Sequence, residues 1–187
     1  MEALCLDVLH SDWHDYRGTG IDEDKLLKSG WLEQLAARWD MTVTNSPDAD
    51  TIATFQELRS LMQRMVQSLL QKQMPEEDDI ATLNTYLDTA PSRPHLVVAG
   101  RAFQLQQVPL NNDWRRILGE VAASFANLLA YHDPSRLKQC ENPDCRWIYY
   151  DESANQTRQW CEDSCANLMR VRRFRARHKN SNQAKVR

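Results

Sequence analysis

The 187-residue sequence lacks any run of 18 or more apolar residues, and its first residues, MEALCLDVLH, have neither the basic region nor the cleavage site of a signal peptide. These absences predict a cytoplasmic protein without a membrane partner. The Ser and His residues lack any accompanying nucleophile-elbow, phosphate-loop or metal-histidine motif, so the sequence does not predict an enzyme. Hydrophobic residues make up 42% of the chain, which is enough to build a core.

Acidic residues are missing from the C-terminal end of the chain. Residues 166–187 hold eight Lys and Arg and no Asp or Glu, whereas residues 1–165 hold 15 basic and all 26 acidic residues. This segregation predicts a polyanion as the partner of the basic end. Two other interpretations stay open: a disordered basic tail, or a surface that docks onto the acidic remainder.

The N-terminal part of the sequence has the periodicity of helices. Short helices are predicted from Asp22 to Met41, the first capped by Asp22 and ended by Gly30. The segment 44–50 is a capping loop, and Pro75 ends the long amphipathic helix that follows it. The apolar positions of that helix are Phe55, Leu58, Met62, Met65, Leu69 and Leu70.

The pattern changes near residue 95 and changes back near residue 112. The segment His95–Gln106 predicts a β-hairpin that turns at Gly100. Asn112 or Asp113 then caps a helix that ends near 132–134. The apolar stripe of that helix is Trp114, Ile117, Leu118, Val121, Phe125, Leu128 and Leu129.

The sequence has five cysteines, and four of them are clustered. Cys140 and Cys145 form a C-x4-C pair, and Cys161 and Cys165 form a C-x3-C pair. In a reducing compartment, two such pairs predict one structural Zn²⁺ ion held by four thiolates, with no open position for catalysis. Four unrelated buried thiols are the alternative. Cys5 is left over and is expected to be a small buried hydrophobe.

The zinc pattern predicts a knuckle, a hairpin and a helix, which is a treble-clef-like arrangement. The hairpin would pair Trp147–Tyr150 with a return strand at 158–160, and the helix would begin near Ser164. Leu168, Val171 and Phe174 are expected to face inward. The basic side chains expected to contact nucleic acid are Arg170, Arg172, Arg173, Arg175, Arg177 and Lys179.

A ligand pocket is a second candidate site in the N-terminal part. Aromatic and charged side chains cluster there in sequence, a mixture that is common in ligand sites. The proposed lining is Asp7, His10, Trp13, Arg17 and Trp31, with His14 and Tyr16 nearby. In the alternative interpretation, the tryptophans belong to the core and the histidines to the surface.

The segment CENPDCRWIYYDESANQTRQWCEDSCANLMRVRRFRARH, within residues 137–179, resembles the CGNR zinc-finger family. The family signature stands here as Cys165, Ala166, Asn167 and Leu168, so two of its four letters differ. The preceding residues resemble the ABATE domain through LCLDVLHSDW, WLEQLAARW and the long helices. The resemblance implies a mainly α fold with a small β-hairpin: a helical domain over 1–134 and a zinc finger over 135–187.

Members of this family are described as stress-induced transcription regulators of bacteria. The resemblance therefore implies a DNA-binding regulator whose larger domain senses a ligand or dimerises. A small-molecule effector and a homodimer stay open as partners. A zinc-stabilised protein-interaction module or an RNA-binding module is the alternative function, since a basic helix can also meet an acidic protein surface or RNA.

Overall fold

The computed structural model describes the backbone of residues 1–184 and the side chains of residues 1–178. The predicted contact residue Lys179 has its side chain outside the described residues. Six α-helices are described: α1 Leu4–Leu9, α2 Trp31–Arg38, α3 Ala49–Leu70, α4 Glu77–Leu87, α5 Trp114–Tyr131 and α6 Asp163–Ala184. The strands are β1 Asp12–His14, β2 Asp22–Asp24, β3 Ser92–Ala99, β4 Ala102–Pro109, β5 Leu137–Gln139 and β6 Ile148–Tyr150. About half of the chain is helical, which confirms the mainly α prediction.

The core lies between α1, α3, α4 and α5. Asp48 caps α3 by accepting a hydrogen bond from the Thr51 amide at 2.8 Å, and Asp113 caps α5 in the same way. Phe55 of α3 and Phe125 of α5 are completely buried, as the helical spacing predicted. Among the described residues, each strand pairs with one neighbour only, which gives three antiparallel pairs: β1 with β2, β3 with β4, and β5 with β6.

A close approach of α5 to the loop before β3 depends on Gly119. A Cβ atom at this position would lie 2.3 Å from the Cβ of Ala90 and 2.8 Å from its backbone nitrogen. No side chain fits in that space, so glycine is required by packing here. This requirement fixes how deeply α5 sits against the segment that follows α4.

The prediction of a helix capped by Asp22 is wrong. Residues 22–24 form β2, which pairs with β1, and the His14 ring lies 2.7 Å from the Asp22 carboxylate. A short 3-10 helix, Lys25–Leu27, follows, and Asp24 caps it. Asp24 is held in turn by two hydrogen bonds of 2.6 and 2.7 Å from the buried Arg59 guanidinium. Backbone pairing and this ion pair therefore decide the conformation, and neither is visible as a sequence period.

The hairpin predicted around Gly100 is confirmed and is longer than expected. β3 and β4 pair over eight residues each, and Gly100 occupies the turn with φ of +64°. Within the described part of the chain, no helix is both long and apolar enough to cross a membrane.

Candidate metal centre and basic helix

The four paired cysteines meet at one point of the fold. Their sulfur atoms all lie within 4.8 Å of one another, and all four side chains are buried. The Cys145 and Cys161 Sγ atoms are 3.5 Å apart, and those of Cys161 and Cys165 are 3.7 Å apart. Cys140 and Cys145 come from the loop between β5 and β6, whereas Cys165 lies in the first turn of α6.

These distances fit a tetrahedral zinc ion. Zn–S bonds of about 2.3 Å place two sulfurs about 3.8 Å apart at the tetrahedral angle. A disulfide would need about 2.05 Å, and all five cysteines are free. The four thiolates therefore fit one structural Zn²⁺ ion and leave no coordination position for a water molecule.

Polar groups favour negative charge on Cys140, whereas the pKa values of Cys145 and Cys161 are raised, mainly by their hydrogen bonds with neighbouring sulfurs and by burial. Hydrogen bonds from the thiols of Cys145 and Cys161 lower the pKa of Cys140 far below its ordinary value. A hydrogen bond from the backbone amide of Asn142 acts in the same direction. The Asn142 side chain also donates to the Cys165 sulfur at 3.5 Å. Donors of this kind orient thiolate ligands and offset part of their charge.

The fifth thiol has a different environment. Cys5 lies in α1 with no exposed surface, and burial raises its pKa to about 11. It is therefore a protonated, inert core residue, which confirms its predicted separation from the metal cluster.

The hairpin of the finger is paired differently from the prediction. The strand Ile148–Tyr150 forms as expected, but its partner is β5, Leu137–Gln139, which precedes the first cysteine pair. The predicted return strand at 158–160 does not form, and these residues belong to no helix or strand. Two hydrogen bonds hold this segment instead: the Gln159 carbonyl accepts from the Glu141 amide at 3.0 Å, and the Arg158 carbonyl accepts from the Tyr149 hydroxyl at 2.7 Å.

A buried ion pair supports the polar turn of the finger. Asp151 has no exposed surface, and Lys138 donates to its carboxylate at 2.7 Å. Burial alone would raise the pKa of Asp151, but hydrogen bonds from Lys138 and Ser153 outweigh it and hold this pKa well below its ordinary range. The carboxylate thus stays charged and fixes the loop between β6 and the second cysteine pair.

Residues 16–18 of the N-terminal domain contact the loop between Cys140 and Cys145, which is called the zinc knuckle below. The Tyr16 carbonyl accepts a 2.8 Å hydrogen bond from Asn142, and the Arg17 carbonyl accepts one of 2.7 Å from Arg172 of α6. Arg172 also donates to Asp144 at 2.6 Å. Gly18 lies so close that a Cβ there would be 2.7 Å from the Asp144 carboxylate. The finger is therefore joined to the rest of the chain by specific polar contacts.

The basic residues of α6 fall into two groups. Arg172 alone forms the first group, because it donates hydrogen bonds to Asp144 and to the Arg17 carbonyl. The second group is exposed and includes Arg173, whose guanidinium lies 5.2 Å from the centre of the Trp160 ring. Arg170, Arg173, Arg175 and Arg177 are all exposed. The sequence placed all six cations in one contact set, but the internal contacts of Arg172 could not be seen from helical spacing.

The expected inward face of α6 is wrong at two of its three positions. Leu168 is half-buried, whereas Val171 is 45% exposed and Phe174 is 54% exposed. The Phe174 ring lies against His178, with centroids 3.9 Å apart and the ring planes tilted by 35°. Beyond its first turns, α6 extends past the cysteine cluster, so its apolar side chains have no core to enter.

The candidate pocket residues are only partly brought together. Asp7, His10 and Trp31 line one cavity of about 260 Å³, which also contacts Lys25, Arg38 and Trp147 of the finger. Trp13 and Arg17 lie elsewhere: Lys25 approaches the Trp13 ring at 6.0 Å, and Arg17 belongs to the loop on the knuckle. Sequence reasoning missed Lys25, Arg38 and Trp147, because they come from three separate segments.

His10 connects this cavity to the finger. Its ring stacks on Trp147 with centroids 3.7 Å apart, and its Nε2 lies 2.6 Å from the Ile148 carbonyl oxygen. Burial lowers the pKa of His10 to about 4, and the nearby cations Lys25 and Arg38 act in the same direction. The imidazole is therefore neutral, and Nε2 carries the proton that it donates to Ile148.

Two family models match the chain. The CGNR zinc finger matches residues 136–178, and ABATE, described as "putative stress-induced transcription regulator", matches residues 2–132. No curated protein matches the chain. The ABATE match covers more than half of the residues, and the four clustered thiols lie inside the CGNR match. The chain therefore belongs to the ABATE family and carries a CGNR zinc finger with one structural zinc site.

Proposed function

We propose that this protein is a DNA-binding transcriptional regulator that contacts the phosphate backbone through α6. One observation supports the proposal most strongly: the basic helix begins inside the four-thiolate site, with Cys165 in its first turn. A bound zinc ion therefore fixes the direction in which the arginines project. The description of the ABATE family as a transcription regulator supports the same function, and a cytoplasmic location belongs to this proposal.

Four exposed arginines form the proposed contact: Arg170, Arg173, Arg175 and Arg177. One guanidinium group can donate two parallel hydrogen bonds to a phosphate, and it stays charged at every physiological pH. No acidic residue lies beyond residue 165, so little in α6 opposes the approach of a polyanion. Lys179 remains in the predicted set. Arg172 has a supporting role in this proposal, because it holds the helix against the knuckle.

The zinc site has a structural task in the proposal. Four protein thiolates saturate the tetrahedral ion, so it neither activates water nor polarises a substrate. We also propose that the chain divides into two domains at 134/135, since only the C-terminal part depends on the metal for its fold. We accordingly assign the protein a binding role without catalysis.

A small-molecule effector would act through the cavity that His10 lines. Lys25 and Arg38 supply positive charge there, Asp7 supplies negative charge, and Trp31 and Trp147 supply aromatic walls. Because Trp147 belongs to the finger and the other five residues to the N-terminal domain, a bound molecule would contact both parts. If the bound molecule shifts the His10 ring that stacks on Trp147, the position of Trp147 in the zinc finger would change as well.

A salt-dependent titration tests DNA binding. Fluorescence anisotropy of a labelled 20-base-pair duplex would be measured with the zinc-loaded protein at several salt concentrations. Five phosphate contacts, from the four exposed arginines and Lys179, predict that log K falls with log salt at a slope of about −4.5. Arg175→Gln should reduce the magnitude of this slope by about 1. Arg115→Gln is the matched control, since Arg115 is an exposed arginine on α5, outside the proposed contact.

The same titration separates the alternatives. The exposed Val171 and Phe174 favour a protein partner on α6 as the second candidate, since apolar side chains there would be covered by a docked surface. If DNA binding is absent or does not depend on salt, the DNA-binding proposal is rejected and a protein partner on α6 becomes the favoured function. Tighter binding to duplex or single-stranded RNA of equal length would instead support the RNA-binding alternative.

A further inference from the structure

Lys25 brings a positive charge to the cavity of about 260 Å³ that lies between the N-terminal domain and the finger. It begins the short 3-10 helix Lys25–Leu27 and is half-buried. Within the part of the chain that the structure describes, its ammonium group forms no ion pair and no hydrogen bond, and it lies 6.0 Å from the centre of the Trp13 ring. A partly buried charge is costly unless it is paired, so an anion bound here would be stabilised.

The other two charged residues of the cavity lining, Asp7 and Arg38, contact each other. The Arg38 Nε lies 3.5 Å from the Asp7 carboxylate, which also accepts a hydrogen bond of 2.8 Å from the Trp39 indole. Arg38 also lies 3.8 Å from Glu2, but Glu2 is outside the cavity lining and its side chain is 82% exposed, so water screens this pair. All other lining residues are uncharged, which leaves the cavity with the single unbalanced charge of Lys25.

Two tryptophans line the cavity, one from each part of the chain. Trp31 begins α2, and Trp147 belongs to the finger; both are half-buried. The His10 ring stacks on Trp147, which holds the orientation of this indole. Aromatic rings pack against one another in offset-stacked or edge-to-face arrangements, which stabilise a complex beyond the burial of apolar surface. The lining therefore favours a ligand that contains an aromatic ring.

The volume and the charge of the cavity limit the ligand further. An interior cavity of about 150 Å³ can hold one benzene molecule, so about 260 Å³ holds one ring and a small charged group. A carboxylate, with one negative charge, matches the single unbalanced charge of Lys25. A phosphate monoester carries a charge of roughly −1.5 to −2 at neutral pH, and the excess would lie unpaired near Asp7. A carboxylate is therefore favoured over a phosphate.

We propose that this cavity binds a small aromatic carboxylate, with the carboxylate on the Lys25 ammonium group and the ring against Trp31 and Trp147. The inference rests on the proposed function for its purpose, since it gives the chemical class of the effector that would act through this cavity. The binding itself requires the N-terminal domain and the finger together, but no DNA. It can therefore be measured separately from the regulatory role.

Isothermal titration calorimetry of the zinc-loaded full-length protein, at pH 7.5 and without DNA, tests the inference with benzoate as the probe. We expect one site with a dissociation constant between about 10 µM and 1 mM, the range of so small a ligand. Benzamide has the same shape without the charge, and should bind at least about tenfold more weakly. Cyclohexanecarboxylate has the charge without the aromatic ring, and should bind at least about threefold more weakly.

Two lysine variants test the charge of the cavity. Lys25→Met removes the charge, keeps a long side chain and should weaken benzoate binding at least about tenfold. Lys28→Met is the matched control, because Lys28 is exposed, lies outside the cavity lining and pairs with Glu23 at 2.6 Å. It should change the dissociation constant by less than about twofold. Zinc content and far-UV circular dichroism check that both variants are folded, and the comparison of ligands on the unchanged protein requires no substitution.

The absence of benzoate binding up to about 10 mM overturns the inference. So does equal binding of benzamide or cyclohexanecarboxylate, tighter binding of phenyl phosphate, or a folded Lys25→Met variant that binds benzoate as tightly as the unchanged protein. A Lys28→Met variant that is weakened as much as Lys25→Met also overturns it. Benzoate binding by a protein that does not bind DNA would support this site and reject the regulator, whereas DNA binding without benzoate binding would do the reverse.

Discussion

Replacing His10 by glutamine removes the titrating group between the two parts of the chain and keeps a hydrogen-bond donor. In the native protein the neutral imidazole donates to the Ile148 carbonyl and stacks on Trp147. The glutamine amide can donate to the same carbonyl but cannot be protonated between pH 7.5 and 5. Any acid sensitivity that arises from His10 should therefore disappear in His10→Gln.

The magnitude follows from the pKa of His10, which is lowered from 6.5 to about 4 in the folded protein. Because folding prefers the neutral ring, the stability contribution is complete above pH 6.5 and is lost progressively as the pH falls from 6.5 to 4. Each unit of difference corresponds to about 1.4 kcal/mol. At pH 5 the folded protein should be less stable than at pH 7.5 by about 2 kcal/mol from this residue alone.

Urea denaturation followed by tryptophan fluorescence measures this effect. The free energy of unfolding of both proteins would be determined at pH 7.5, 6.5, 5.8 and 5. Protonation of the zinc thiolates at low pH affects both proteins equally, so the quantity to compare is the difference between their pH profiles. Parallel profiles for the native protein and His10→Gln would refute the argument that a buried neutral His10 joins the N-terminal domain to the finger.

Three further substitutions test separate parts of the structure. Cys161→Ser should lower the zinc content and make the C-terminal module sensitive to limited proteolysis while the long helices keep their circular dichroism; an equally resistant module would contradict this. Gly119→Ala should destabilise the fold by about 1–3 kcal/mol, since the new methyl group collides with Ala90, and an unchanged melting temperature would refute the packing argument. Arg172→Ala should cost about 1 kcal/mol by releasing Asp144, measured as a shift of the urea midpoint; no shift would show that this contact is not stabilising.

The sequence predicted the parts of the fold that have a period or a recognisable cap. α3 and α5 repeat apolar residues at helical spacing and begin after Asp48 and Asp113, so their location and buried faces followed directly. The turn at Gly100 was visible for a similar reason, because glycine separates two runs of strand-forming residues. The cysteine spacing predicted the metal site, since two closely spaced pairs are the usual ligand pattern of zinc.

Features that depend on long-range contacts were not predictable in this way. β1 and β2 are three residues long and rich in charge, so they carry no alternating pattern. β5 pairs with β6 because the loop that carries Cys140 and Cys145 turns the chain back on itself, and the sequence pattern of either strand does not show this. Val171 follows the spacing of an inward face, but the spacing of one helix cannot show where its neighbours end.

Zinc removal and restoration is the most direct test of the claim that a metal-ordered helix binds DNA. The affinity for a labelled duplex would be measured for the zinc-loaded protein, for the protein after chelation, and after one equivalent of Zn²⁺ is returned. We predict that chelation weakens binding at least about tenfold, because α6 loses the site that fixes its first turn, and that Zn²⁺ restores it. Unchanged affinity after complete chelation, confirmed by elemental analysis, would contradict this account.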